Sequence, residues 1–217
     1  ASELNIHQSS IDNNSSPLGG GGGINITTGT LTMVQSTLNS NYANNVGGGL
    51  NATATLISFS DVIVDNNTAG GENSSCGGLD ISGAQGGGTH TLNNVVITNN
   101  TATLFGGGLR YDGQLIITNC TIANNTAIDR PYGGGVYRSG MDDSIINCIL
   151  YGNSPDDFYQ IDSNWPMDIN YTLLGTEPQS GDGSISNISQ SNNIIGNPLF
   201  CNADSSDFTL YDNSPCV

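Results

Sequence analysis

Few residues in this chain are able to do acid–base or metal chemistry, and their spacing decides what they can do. Among 217 residues there is no lysine, and three arginines (Arg110, Arg130, Arg138) face 19 carboxylates and two histidines. Abstraction of the C5 proton of a uronan takes a base, commonly Lys or Arg, often beside a calcium ion held by several Asp. Arg110 and Asp112 share one short segment with the same facing, which reads as an ion pair on one strand. Glycoside hydrolysis takes a pair of carboxylates flanking the bond. Asp142 and Asp143 are the nearest approach, yet no His-bearing or Arg/Lys-bearing motif accompanies them, and a solvated turn is the simpler account. His7 and His90 lie too far apart in the repeat described below to converge. No G-x-S-x-G elbow occurs, and the glycine runs, Gly19–Gly23 included, lack the Lys of a phosphate loop. Asp156 with Asp157, and Asp204 with Asp207, offer calcium a place only as loose acidic surface does. The residues name no catalytic group and no metal-ligand set, and they call for no cofactor.

Composition removes further classes. A net charge of −16 leaves nothing to neutralise phosphates, which excludes nucleic-acid binding and attachment to an anionic membrane by a basic patch. No apolar run approaches the roughly 20 residues of a transmembrane helix. The chain has 30 Gly, 29 Asn and 43 Ser or Thr, nearly half of its length. Such a polar, acidic composition suits disorder unless patterning says otherwise.

Patterning does. The segments DVIVDNNTA (61–69), NVVITNNTA (94–102), NCTIANNTA (119–127) and NCILYGNSP (147–155) are copies of one another, with weaker copies QSTLNSNYA (35–43) and QSSIDNNSS (8–16). Their last residues, Ser16, Ala43, Ala69, Ala102, Ala127 and Pro155, are 27, 26, 33, 25 and 28 residues apart. Ten residues before each stand Ile6, Met33, Phe59, Leu92, Ile117 and Ile145, and five before stand Ile11, Leu38, Val64, Ile97, Ile122 and Leu150. Seven before stand Ser9, Ser36, Val62, Val95, Cys120 and Cys148. Two before stands Asn in every copy: Asn14, Asn41, Asn67, Asn100, Asn125 and Asn153. Between copies, glycine runs lead into Ile24, Leu50, Leu79, Leu109 and Val136. Apolar positions two apart on short β-branched segments are strand signals, and a period of 25–33 residues fits one solenoid coil. The expected fold is all-β: a right-handed parallel β-helix of about six or more coils, its recurrent Asn stacked as a hydrogen-bonded ladder at one corner and its glycines at another. Coils are expected over residues 1–155 and a C-terminal extension with a terminal coil or cap over 156–217. Within it 156–192 lose the repeat and are expected to be an irregular extension, with Phe158, Tyr159, Trp165 and Tyr171 packing over the last coil or forming a separate ligand-binding lobe.

With "GGG-aliphatic" and "NNTA" once per coil and a closing "NPLFC…SPC" (197–216), the chain resembles the right-handed parallel β-helix families of secreted and surface proteins. These include polysaccharide lyases and autotransporter-like adhesins, so the resemblance bears on fold more than on activity. It implies a Cys201–Cys216 disulfide, whose 15-residue loop would stabilise by about 3 kcal/mol. Cys120 and Cys148 stack in one inward column and are either small buried thiols or a bridge. Cys76 is either free or bonded to another chain.

Asn-x-Ser/Thr occurs at Asn13, Asn25, Asn51, Asn66, Asn73, Asn99, Asn124, Asn170 and Asn187, and also at Asn14 and Asn119. Asn13, Asn66, Asn99 and Asn124 share a column beside the ladder and should face outward as glycan sites; the alternative is that NNT is turn chemistry alone. No leader-like segment is read before the first coil, and about three residues stand before it to cover its edge, so the expectation is either that another subunit docks there or that an upstream cap has been removed. The expectation is a non-catalytic extracellular or cell-surface glycoprotein, structural or adhesive, stacking end to end through its N-terminal coil. The alternatives are a carbohydrate-active enzyme using Arg110, Asp112, Asp142 and Asp143, or a carbohydrate-binding module.

Overall fold

The computed structural model describes residues 2–83, 87–129, 132–161, 165–181 and 187–216. Arg130 and the side chain of Asp204 lie outside this description. The chain winds into a parallel β-solenoid of about six turns. Its strands form a 14-stranded sheet that bends, a seven-stranded sheet and a five-stranded sheet. A typical coil takes one strand from the five-stranded sheet, one from the seven-stranded sheet, and a span of the bent sheet that is either one long strand or two short ones.

The repeat sets the register. Ile6, Met33, Phe59, Leu92, Ile117 and Ile145 pair in turn along the bent sheet. Past the bend, Ile11, Leu38, Val64, Ile97, Ile122 and Leu150 do the same. Ile24, Leu50, Leu79, Leu109 and Val136 line up on the seven-stranded sheet. These columns form one continuous core, buried except at the first coil, where Ile6 and Ile11 are half-covered. A one-residue slip would turn every one of them outward, so the core and the register enforce each other.

The corners are built by residues that tolerate positive φ. Asn13, Asn66, Asn99 and Asn124, each directly before a ladder Asn, have φ of 60, 55, 56 and 56°, and Ser40 and Gly152 take the same place before Asn41 and Asn153 with φ of 55 and 71°. This left-handed conformation suits Asn and reverses the chain tightly enough for the next strand to join the five-stranded sheet. The middle glycine of each run is fixed by a different constraint. A methyl group on Gly48 would stand 2.4 Å from the Gly77 carbonyl oxygen, and one on Gly107 would stand 2.4 Å from that of Gly134.

Winding does not stop at residue 155. Phe158 pairs with Val136, Ile169 with Ile145 and Leu174 with Leu150, and a further coil follows with Ile188 against Met167 and Ile195 against Leu174. The expected irregular extension over 156–192 is therefore largely solenoid. Its aromatics do not cap the end: Phe158 is core, Tyr159 stacks on Tyr132 and Tyr137, and Trp165 and Tyr171 are exposed. The last segment carries an antiparallel pair, Phe200–Asn202 with Asp207–Leu210. It lies along the side of the solenoid, where Asn99 Nδ2 donates to Ser206 Oγ at 3.0 Å and Asn124 Nδ2 to the Ala203 carbonyl at 3.4 Å.

Candidate functional site

Chemistry-bearing groups in the solenoid fall into ladders, an interior ion cluster and side cavities. In the asparagine ladder, each Oδ1 accepts both the backbone N–H and the Nδ2 of the Asn one coil earlier. Asn67 donates both to Asn100 at 2.9 Å, and Asn100 donates both to Asn125 at 2.9 and 3.0 Å. The second Nδ2 proton goes to a strand carbonyl of the earlier coil: Leu38 for Asn67 and Val64 for Asn100. A buried carboxamide so placed has every donor used, which is the condition for burying it without penalty. The chain of amides runs from Asn14 to Asn153 and ends on Asp157, whose Oδ1 takes the Asn153 N–H and Nδ2 at 3.1 and 2.8 Å. Burial pushes the Asp157 carboxyl up, opposed by those bonds from Asn153.

A second polar column runs along the bend. Here the backbone N–H after the left-handed residue faces a side chain of the next coil: Ser9 N to Ser36 Oγ at 3.0 Å, Val95 N to Cys120 Sγ at 3.4 Å, Cys120 N to Cys148 Sγ at 3.3 Å, and Cys148 N to Thr172 Oγ1 at 3.3 Å. The column continues with Thr172 N donating to Asn193 Oδ1 at 3.0 Å. Cys120 and Cys148 thus act as hydrogen-bonding groups as well as small core residues. A hydrogen bond from Cys148 holds the Cys120 thiol below its ordinary value, while burial pushes Cys148 up. All five cysteines are free thiols, so the expected Cys201–Cys216 bond is not present. Cys76 is fully buried at a corner position that Gly47 and Gly106 fill in other coils, which removes it from bonding to another chain.

The ion cluster lies inside. Arg138 is fully buried, at the inward position that Ile81 and Tyr111 occupy in preceding coils. Its Nε donates to Asp143 Oδ2 at 2.6 Å and its Nη1 to Gln160 Oε1 at 3.0 Å, while Nη2 reaches the carbonyls of Met141, Trp165 and Pro166. Asp143 Oδ1 accepts the Leu115 N–H at 2.8 Å, much as His90 Nδ1, two coils earlier in the same column, accepts that of Ile57 at 3.2 Å. Burial pushes the Asp143 carboxyl up to about 6 against the pull of Arg138, and lowers His90. Among the described residues, His90 Nε2, the Tyr111 hydroxyl and Gln160 Nε2 meet no hydrogen-bond partner. Asp142 and Asp143 do not act together: Asp142 is exposed and Asp143 faces inward to Arg138.

Arg110 does not pair with Asp112 on its own strand. The two face the same side, but the nearer carboxylate is one coil away: Asp80, in register with Arg110, takes Nη1 at 2.8 and 3.0 Å. Arg110 also stands 6.0 Å from the centre of the Phe105 ring, which stacks on Tyr137 at 4.5 Å. Both cations the structure describes are therefore tied to carboxylates. Sequence reasoning missed the Arg138–Asp143 pair, although an Arg two residues after the aliphatic that ends a glycine run is a visible departure from the apolar column.

Side cavities flank the C-terminal segment. One of 450 Å³ is lined by Cys120, Cys148, Tyr171, Leu210 and Cys216 among others, and one of 630 Å³ by Asp12, Asn39, Ile63, Asp65 and Phe208 among others. A third, of 320 Å³, is lined by Asp142, Asp143 and Asp168 with Gln114 and Met167. No group of three or more His, Cys, Asp or Glu among the described residues is arranged to hold a metal ion. No helix in the described residues is long and apolar enough to cross a membrane. Asn13, Asn25, Asn66, Asn73 and Asn187 are exposed, whereas Asn51, Asn99, Asn124 and Asn170 are half-buried. Comparison with known proteins finds no matching family model, no similar curated protein and no similar solved structure.

Proposed function

We propose that this chain is a non-catalytic structural or adhesive solenoid of the extracellular space or cell surface, stacking end to end on further copies of itself. One observation carries the reading. The outer edges of Glu3–His7, Ser10–Asp12, Ser15–Ser16 and Ile24–Ile26 pair on one side only, and Leu4 is 42% exposed beside them. At the other end, Ile188–Ser191 and Ile194–Ile195 also pair on one side, leaving Ile194 and Ile195 42% and 49% exposed. Open parallel edges with apolar residues along them favour pairing with another strand, and two unlike faces give a head-to-tail contact that propagates. The charge of −16 per chain opposes contact, so assembly strengthens as salt screens it.

Sedimentation velocity across protein and salt concentration, with negative-stain imaging, tests this. Rods that lengthen with concentration and revert to single units on Ile195→Glu support it; single units at every concentration and salt refute it. Glycan attachment is part of the same proposal. Occupancy by peptide mass spectrometry should be high at Asn13 and Asn66 and low at Asn99 and Asn124, where the C-terminal segment holds the side-chain amide. An unmodified intact mass from a glycosylating host removes the glycans from the proposal.

A second reading, turnover of a carbohydrate, rests on the 320 Å³ cavity lined by Asp142, Asp143 and Asp168, of which Asp142 and Asp168 are exposed while Asp143 is bound by Arg138. Reducing-sugar release from a polysaccharide panel, lost in Asp168→Asn with folding intact, would support this reading over the first.

A further inference from the structure

We propose that Cys120 and Cys148 form a two-coordinate site for a soft monovalent d10 cation, Cu(I) being the biological example. The two residues sit one coil apart in a single inward column, directly before the paired residues Thr121 and Ile149. Neighbouring parallel strands lie about 4.8 Å apart, so equivalent side-chain atoms on them are separated by about that distance. A disulfide needs its sulfurs at about 2.05 Å and its Cβ atoms at about 3.8 Å, closer than unstrained stacking provides. With the zinc–thiolate bond of about 2.3 Å as a guide to metal–sulfur lengths, a linear sulfur–metal–sulfur unit spans about 4.6 Å, close to the strand spacing. Thiolate sulfur is the ligand that selects Cu(I) over harder ions. Zinc would need two more ligands, and no larger ligand group is present among the described residues.

Each sulfur already has an outer hydrogen bond suited to a thiolate. Cys120 Sγ accepts the Val95 N–H at 3.4 Å and Cys148 Sγ accepts the Cys120 N–H at 3.3 Å. Such bonds stabilise charge on a ligating sulfur and fix its direction. As thiols, the sulfurs also lie 3.1 Å from the Thr118 carbonyl and 3.2 Å from that of Ile146, contacts that serve an S–H and are given up on deprotonation. Binding replaces two protons with one cation: two thiols and M⁺ give a bis-thiolate of charge −1 and release two H⁺. The 450 Å³ side cavity is lined by both residues, which brings solvent to this stretch of wall.

The test is titration of the reduced full chain with Ag(I), and with Cu(I) buffered by a chromophoric chelator, following the thiolate-to-metal ultraviolet band. One tightly held ion per chain is expected, unchanged in Cys76→Ser and Cys216→Ser and weakened at least ~100-fold in Cys120→Ser and in Cys148→Ser. Ser36 already stands in this column with its hydroxyl accepting the Ser9 N–H, so serine suits the position, and circular dichroism and thermal melting check that the variants remain folded. No uptake against the chelator, unchanged affinity in either column variant, or loss confined to Cys201→Ser or Cys216→Ser would overturn the site.

Discussion

Gly108 lies against the carboxamide of Asn125: a methyl group on this glycine would stand 2.8 Å from Nδ2. The same relation links Gly23 to Asn41, Gly49 to Asn67, Gly78 to Asn100 and Gly135 to Asn153, at 2.9–3.3 Å for the carboxamide atoms. The glycine run and the asparagine are two sides of one packing device, since the last glycine leaves the room that the ladder amide fills. Gly108→Ala should therefore cost about 2–3 kcal/mol by overpacking. Gly196→Ala, which meets nothing within 4 Å, should be close to neutral. Urea unfolding midpoints of the two variants check the contrast, and equal midpoints would contradict it.

Removing a rung from inside the ladder should cost more than removing one from its end. Asn100→Leu leaves the Asn67 N–H and Nδ2 and the Val64 carbonyl unsatisfied. At about 1–3 kcal/mol for each buried group, the loss should reach about 4 kcal/mol. Asn14 is exposed on the first coil, and Asn14→Leu should cost under ~1 kcal/mol. Denaturant melts that ranked the two the other way would show that the ladder is incidental to stability.

Arg138 and Asp143 should tolerate joint removal better than single removal. Arg138→Met strands a buried carboxylate and should cost about 3–5 kcal/mol, while Arg138→Met/Asp143→Leu should recover most of that. Recovery stays incomplete because Asp143 also holds the Leu115 N–H. A double-mutant cycle in urea measures the coupling, and additive losses would deny it.

Stability should fall as pH rises through the weakly acidic range. Burial raises the carboxyls of Asp143 and Asp156 to about 6 and also raises Asp80 and Asp157. Raised pKa values mean that the folded chain keeps protons the unfolded chain has released, so their contribution is complete below about pH 4 and lost as pH passes about 6. For Asp143 and Asp156 each such rise corresponds to a loss on the order of 3 kcal/mol, before solvent screening reduces it. Urea midpoints at pH 4.5, 5.5 and 7 should decline, and Asp143→Asn should flatten the slope. A midpoint that climbs over this range would contradict the assignment.

The columns of the solenoid were legible because parallel in-register stacking turns equal spacing in sequence into neighbours in space. Met33, Phe59 and Leu92 could be aligned by counting from an Asn. Residues past Pro155 were not legible, because the marks used for counting change there: Asp157 closes the ladder, Tyr171 supplies a positive φ of 52°, and Phe158 takes the aliphatic's place without a glycine run before it. The ion cluster was hidden for another reason. Arg138, Asp143 and His90 are single exceptions within columns, and Arg110's partner Asp80 is 30 residues away in sequence but one strand away in space. A search along one strand finds Asp112 instead.

The coil between Ala69 and Ala102 is the longest of the repeat, yet Asn67 meets Asn100 in the same geometry by which Asn100 meets Asn125. In sequence its surplus residues fall between strands, after Ala69 and after Ser82, and the strands Leu79–Ser82 and His90–Asn93 keep the four-residue length of Leu109–Asp112 and Leu115–Thr118. Every coil therefore advances the stack by the same increment of about 4.8 Å, whatever its contour length. The molecule behaves as a ruler whose graduations are set by the amide ladder, while its corners can lengthen and change sequence without altering the distance between its two ends.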